Sequence, residues 1–215
     1  EDGIRDVERS RGLGDVYKRQ YIKRLPEDWQ QRPFDLRRYQ TVYAQEEGSI
    51  AAPTAGLHFT PRIIKKIEQQ GITLVKVILH VGLATFQPLE GEEVESQRLG
   101  EEEFMISEEA AEEINRAKKD GRSVVAIGTT TVRALESAYN GQKIVPGKAT
   151  TSLFIYPGYQ FQVVDCLLTN FHLPRSTLLM LVSALAGREL ILKAYQEAVK
   201  KHYRFFSYGD CMLIL

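Results

Sequence analysis

The chain has 215 residues whose 28 basic and 28 acidic side chains cancel at neutral pH, so it is long enough for one large domain or one and a half and is no polycation. Hydrophobic residues make up 43% and charged residues 26%, which excludes disorder, a collagen-like repeat or a coiled coil as a description of the bulk. Any nucleic-acid contact must come from a local patch. Cys166 and Cys211 share no metal-ligand spacing and fit a reduced cytoplasmic protein with core thiols. No apolar run approaches the roughly 18 to 20 residues that span a bilayer.

Residues 1–20 show neither helical nor alternating periodicity. From Ser10 to Gln20 they match, one codon per residue, the translation of a transposase-based sequencing adaptor, and are expected to be a non-native leader. Native sequence then starts near Tyr21, with an upstream part lost. A polar approach punctuated by Pro26 and Pro33 carries the single Trp, Trp29, and leads to the aromatic run Tyr39 to Ala44. A small-residue loop, Gly48 to Phe59, follows. Thr60 is expected to cap a helix beginning at Pro61, with Ile63, Ile64 and Ile67 buried and Lys65, Lys66 and Glu68 wet, ended by Gly71. Ile72 to Leu79 is rich in β-branched residues and reads as a buried strand that delivers His80 and Gly82 at its carboxyl end.

The acidic stretch Glu90 to Glu103 reads as a solvated loop. Ser107 caps a helix whose face is Ala110, Ala111, Ile114 and Ala117, up to Gly121. Val124 to Ile127 reads as a strand feeding Gly128-Thr-Thr-Thr-Val-Arg133 and a helix from Ala134 to Ala138. Asn140-Gly141 marks a turn, and Leu153 to Tyr156 and Phe161 to Leu168 read as two strands separated by Pro157-Gly158. Ser176 caps a helix from Leu178 to Ala186, Gly187 ends it, and Glu189 to Lys201 forms another. Alternating strand and helix patterns favour an α/β layer or barrel with a mainly parallel sheet. Chemistry then belongs at the carboxyl ends of the strands, where His58, His80-Val-Gly82, Gly128 to Thr131 and Thr169 to His172 fall.

Each cluster has two readings. Thr129, Thr130 and Thr131 either cap a helix or offer hydroxyls and amides to an anion or sugar. Arg133 serves a ligand carboxylate or a neighbouring acid, since a cation on the first turn opposes the helix dipole. Ala52-Pro-Thr54-Ala-Gly56-Leu-His58 is either a tight turn with a surface His or backbone lying close to a ligand. Thr169-Asn170-Phe-His172-Leu-Pro-Arg175 is either a structural polar network or a dense set of ligand-binding groups. His80 reads as a core histidine or a site group, and His202 as surface. Histidine spacing disfavours a metal, and hydrolase, Walker and dinucleotide motifs are lacking.

Taken together, Tyr39 to Ala44, Ala51 to Phe59, Leu79-His-Val-Gly82, Gly128 to Glu136, Thr169 to Val182 and Arg204 to Asp210 resemble, in order, the S-adenosylmethionine:tRNA ribosyltransferase-isomerases of queuosine biosynthesis. The resemblance runs from about Tyr21 to the last residue. It implies an α/β, barrel-like domain in residues 21–215, a catalytic domain fragment, with most of a smaller β-barrel domain missing. It also implies transfer of the ribosyl group of S-adenosylmethionine onto preQ1 in tRNA, giving epoxyqueuosine, adenine and methionine. S-adenosylmethionine would be a co-substrate, with no metal, no membrane and a monomeric cytoplasmic protein; the alternative is an inactive tRNA-binding fragment or divergent paralogue.

On that resemblance His58 and His172 are the expected proton-transfer residues. Thr54, Gly56, His80, Gly82, Thr129, Thr130, Thr131, Arg133, Asn170 and Arg175 are the expected substrate contacts. Lys65, Lys66, Lys193, Lys200, Lys201 and Arg204 are the expected RNA-facing cations. The family pattern carries a His-x-Met-His segment where this chain reads Gln97-Arg98-Leu99-Gly100, and a glycine where it has Ala84.

Overall fold

The computed structural model describes residues 38–45, 52–80, 99–206 and 208–215. In chain order these hold a 3-10 turn (Thr54–His58), α1 (Pro61–Gln69), β1 (Ile78–His80), β2 (Glu102–Ile106), α2 (Glu108–Lys119), β3 (Val125–Ile127), α3 (Thr129–Ala138), β4 (Gly147–Thr151), β5 (Cys166–Asn170), α4 (Thr177–Ala186), α5 (Arg188–Lys200) and β6 (Cys211–Ile214). The described strands form two three-stranded sheets, ordered β1-β2-β4 and β3-β5-β6. The class is mixed α/β.

Local chemistry sets the helix ends. Thr60 accepts the Ile63 N–H at 3.2 Å with Pro61 opening α1, Ser107 accepts Ala110 N–H at 3.2 Å, and Ser176 accepts Leu179 N–H at 3.2 Å. Helix α2 also has Glu108 and Glu109 in its first turn and Arg116, Lys118 and Lys119 in its last, which complements its dipole. Gly187, at φ 86°, ends α4 and precedes α5; that left-handed backbone suits glycine.

Among the described helices α3 is the most enclosed, with Thr129, Val132, Arg133, Ala134, Leu135 and Glu136 all buried. It packs against strands of both sheets. Around it lie Phe104 and Ile106 from β2, Ala110, Ala111 and Ile114 from α2, Leu167 from β5, Leu181 and Val182 from α4, and Ile191 from α5. Strand β2 alternates in and out, and its first inward residue is Glu102. Arg133 meets it at 2.8 Å and donates from Nε to the Leu153 carbonyl at 2.9 Å. One turn on, the Glu136 carboxylate accepts the N–H groups of Gln162, Val163 and Val164 at 2.9, 3.0 and 2.9 Å and the Tyr159 hydroxyl at 3.2 Å.

Several expectations change. Of the four ladders among the described residues, β3 with β5 is parallel and the other three are antiparallel, so the described pairing is not mainly parallel. Strand Ile72 to Leu79 shrinks to Ile78–His80, and Ile72 and Leu74 are 56% and 42% exposed, because β-branched residues suit a pleated surface without supplying a partner strand. The acidic loop was drawn too long: Glu102 begins β2 and is 1% exposed, held by a cation distant in sequence. Leu153 to Tyr156 and residues 161–165 lie outside strands, and pairing falls instead on β4 and β5. Ile155, Val163 and Val164 are buried on irregular backbone whose N–H groups at 163 and 164 are satisfied by Glu136. Helix α3 starts at Thr129, not Ala134, and the tail adds β6. Helix α1 buries none of its residues, since periodicity defines an apolar face but not what lies against it.

Residues 1–20, Trp29, Gly82, Ala84, Gln97 and Arg98 lie outside the described residues. Among the described residues no helix is long and apolar enough to cross a membrane. Glu136→Ala strands the Val163 and Val164 amides in the interior, so urea unfolding should show a loss of about 2 kcal/mol or more; a change within about 0.5 kcal/mol would mean the loop finds other acceptors.

Candidate active site

Strands β3 and β5 run parallel with Ile127 opposite Leu168, so their carboxyl ends emerge together. Gly128 leaves β3 at φ 91°, a left-handed value that favours glycine, and donates its N–H to Leu168 O at 2.8 Å. The amino terminus of α3 begins at once with Thr129 buried and Thr130 and Thr131 partly exposed. Thr131 turns its hydroxyl back to Ile127 O at 2.8 Å. No side chain caps this helix start.

The Thr54–His58 turn packs against β5. Gly56 is fixed here by space: a Cβ would collide with the Tyr43 hydroxyl and the Thr41 methyl. Ala55 is buried beside Gly128, and His58 closes the turn with its Nε2 enclosed and without a hydrogen-bond partner. His58 also reaches the field of Asp210, whose carboxyl is held below its usual range mainly by hydrogen bonds from Arg204 and to a smaller extent by the His58 charge.

At the end of β5, Thr169 and Asn170 are 2% and 3% exposed. The Thr169 hydroxyl and His172 Nε2 are 2.9 Å apart, and the His172 backbone N–H donates to the Tyr195 hydroxyl of α5 at 2.8 Å. Burial pushes the His172 imidazole down from 6.5 to about 4, so it is neutral at neutral pH. Burial likewise pushes Tyr195 up to about 12, keeping its phenol protonated. Between these residues, the Phe171 ring stacks edge-on with Tyr195 at 5.3 Å and Tyr203 at 5.8 Å, and at a tilt with Phe205 at 5.3 Å. The aromatic cluster fixes where His172 can sit.

Asn170 donates from Nδ2 to Phe206 O at 3.0 Å and Gly209 O at 3.5 Å, and its enclosed Oδ1 has no partner. The two carbonyls define which end of the amide faces the 204–210 turn. That turn is closed by Arg204 and Asp210, whose guanidinium and carboxylate are 2.9 Å apart.

The structure therefore brings His58, Thr129, Asn170 and His172 to one end of the β3-β5 pair, with Thr54 and Gly56 in the adjoining turn. It does not bring Arg133 there as a ligand group. Arg133 is 2% exposed and serves the neighbouring acid, Glu102, with burial lowering the guanidinium's pKa. His80 is in the other sheet, opposite Glu103. Arg175 is exposed at φ 58° just after Pro174. Lys65 and Lys66 are exposed on α1, and Lys193, Lys200 and Lys201 on or just after α5. Lys200 pairs with Glu197 at 3.6 Å, and the Arg204 head is committed to Asp210. Among the described residues no three His, Cys, Asp or Glu side chains are grouped to hold a metal.

Asp210, Glu136 and Tyr195 were missed as site-shaping residues. Asp210 and Glu136 end two of the motifs quoted above, but only contacts across the fold reveal what they hold.

The family model described as queuosine biosynthesis protein matches residues 7–214. The chain belongs to this family. It is 59% identical over 182 residues to the S-adenosylmethionine:tRNA ribosyltransferase-isomerase of Desulforamulus reducens, covering 84% of this chain and 53% of that protein. It is 54% identical over 191 residues to the protein of the same name from Carboxydothermus hydrogenoformans, covering 89% and 56%. The crystal structure of the Thermotoga maritima S-adenosylmethionine tRNA ribosyltransferase superposes with a TM-score of 0.62 at 45% identity, covering 75% of this chain and 51% of that one. The chain spans about half the length of these relatives.

Because His172 resists protonation when folded, the unfolded chain takes up a proton first as pH falls. Its contribution to stability is thus present above 6.5 and lost on the way down to about 4. Thermal midpoints measured across that window should fall less steeply for His172→Gln than for the parent chain; identical slopes would mean the imidazole is not enclosed.

Proposed function

We propose that this chain supplies part of the active site of an S-adenosylmethionine:tRNA ribosyltransferase-isomerase. The ribosyl group of S-adenosylmethionine is transferred to preQ1 in tRNA and rearranged to epoxyqueuosine, with release of adenine and methionine. The observation that carries this reading is the convergence of two imidazoles, His58 and His172, with the start of α3 at the carboxyl ends of the parallel β3-β5 pair. Relatives at more than half identity, named S-adenosylmethionine:tRNA ribosyltransferase-isomerase, support its coarser part, ribosyl transfer and isomerisation on tRNA.

A sulfonium acidifies the adjoining ribose C5′, so a base must take a proton there, and adenine needs a proton as it leaves. His58 suits proton transfer, since its Nε2 is not engaged by the protein. His172 is a neutral imidazole whose Nε2 meets the Thr169 hydroxyl while its backbone N–H is held by Tyr195, which suits it to orienting a hydroxyl, and to taking a proton only if substrate charge raises its basicity. Thr129 and Thr130, with the α3 amino terminus, suit ribose hydroxyls or developing negative charge. Thr54, Gly56 and Asn170 are the further substrate contacts of this reading, and the exposed Arg175 is its partner for the substrate carboxylate or a tRNA phosphate. The tRNA approaches over Lys65, Lys66, Lys193, Lys200 and Lys201, in the cytoplasm, with the protein acting as a monomer.

The direct assay is adenine release from S-adenosylmethionine by the full-length protein with preQ1-bearing tRNA. Release that depends on that tRNA supports the reaction and shows that Gln97 and Gly100 are tolerated. His58→Ala and His172→Ala should each lower kcat by about 100-fold or more, and retention of most turnover in both would remove them from proton transfer. A folded protein that binds tRNA but releases no adenine would be an RNA-binding paralogue instead. Neutralising the exposed lysines should flatten the salt dependence of tRNA binding; an unchanged slope would move the RNA surface elsewhere.

A further inference from the structure

The turn from Arg204 to Asp210 carries a feature that the proposed chemistry does not use. Phe206 has φ 69°, and with Arg175 and His202 it is one of the described non-glycine residues in left-handed backbone. For a bulky aromatic residue this conformation is strained and persists only where surrounding contacts enforce it. Here they do. The Phe206 N–H donates to Phe171 O at 3.0 Å, and its carbonyl accepts Asn170 Nδ2 at 3.0 Å and Gly209 N–H at 2.9 Å. Outside this, Asp210 accepts the Arg204 backbone N–H at 2.8 Å, and Asp210 N–H returns to Arg204 O at 2.9 Å. Gly209 has no room for a side chain, since a Cβ would lie 2.6 Å from Arg204 O.

The strained turn divides two adjacent rings. Phe205 points into the cluster with Phe171 and Tyr195, whereas Phe206 is 36% exposed. Glycine would fit this backbone without strain, so a phenylalanine here carries a conformational cost that the surrounding hydrogen bonds must offset. It stands where its own backbone bonds Asn170 and Phe171, next to His172. Tyr203 and Tyr208 are exposed nearby in sequence at 46% and 37%, and Arg175 and Lys201 are exposed cations on neighbouring stretches of chain, whereas Lys200 and Arg204 are paired with Glu197 and Asp210. An exposed aromatic ring on backbone pinned by hydrogen bonds is the kind of group on which a planar base stacks.

We propose that the Phe206 ring is a stacking platform for a planar purine-like base entering the site. The proposal rests on the reaction above for its two sources of such a base, the adenine of S-adenosylmethionine and a base of the tRNA. The test is equilibrium binding of each, separately, to full-length protein carrying Phe206→Gly, Phe206→Leu or Phe206→Trp, with thermal midpoints recorded alongside. Glycine relieves the backbone, so Phe206→Gly should melt no lower than the parent while its Kd for one ligand weakens about 10-fold or more. Leucine keeps an apolar side chain without a π-face and should bind as poorly as glycine, whereas tryptophan should bind as well as phenylalanine. Weakening for S-adenosylmethionine alone identifies adenine as the stacked base, and weakening for tRNA alone identifies an RNA base. Parental affinity for both ligands in the Gly and Leu variants overturns the proposal, as does a lower melting point in Phe206→Gly with normal binding by Phe206→Leu. A parent that binds both ligands without turnover would sink the reaction but leave the stacking comparison decisive; a fully active protein with unaltered variants would do the reverse. A parent that binds neither overturns both.

Discussion

The ion pair between Arg133 and Glu102 sits where α3 crosses from one sheet to the other, at 2.8 Å and almost wholly out of water. Two charges removed from solvent cost more than an apolar pair of the same shape would, so their value lies in being intolerant of any other arrangement. A slip of β2 by one residue would turn Glu102 outward and leave the guanidinium inside without its partner. The same helix repeats the device with Glu136, whose two oxygens hold three consecutive backbone N–H groups and a tyrosine hydroxyl. With both ends of its buried face tied, α3 has one place to lie, and its amino terminus is thereby aimed at the carboxyl ends of β3 and β5.

That placement explains the construction of the site. Each wall comes from a different stretch of chain: the 3-10 turn ending at His58, the start of α3, the end of β5, and the 204–210 turn. The joins are made largely by backbone groups, such as His172 N–H to Tyr195 and Asn170 to two carbonyls. Backbone joins tolerate changes of side chain at the rim while holding position at the centre. Glycines appear where a wall closes most tightly, at Gly56 against Tyr43 and Gly209 against the backbone of Arg204 and Phe205.

Electrostatically the corner is built for neutral polar groups. Burial keeps His172 uncharged and keeps the Tyr195 phenol protonated, and the charged pair Arg204 with Asp210 closes a loop with its guanidinium at the surface. A site of this kind suits a substrate that brings its own charge. The sulfonium of the proposed donor would do so, and fixed dipoles at the start of α3 can respond to charge as it develops without reorganising.

How much of this could be read from the chain alone follows the range of the interactions. Thr60, Ser107 and Ser176 cap their helices through bonds three residues away, and Gly187 and Pro61 act on their own backbone, so the helix ends, the α/β class and the small-residue loop were legible in sequence. The ordered motifs likewise carry the family, and His58, Gly128 to Thr131 and Thr169 to His172 fall within them. What needed the tertiary structure were pairings across the chain. Glu102 looked like part of a solvated acidic run until Arg133, 31 residues on, was found against it. Strands β4 and β6 carry weak local patterns and exist because β2 and β5 offer them edges. Residues 72–77 carry a strong pattern and stay unpaired in any described ladder. Local hydrogen bonds and backbone limits are written in neighbouring residues, whereas the partner of a strand or of a buried charge is decided only when distant segments compete for the same interior.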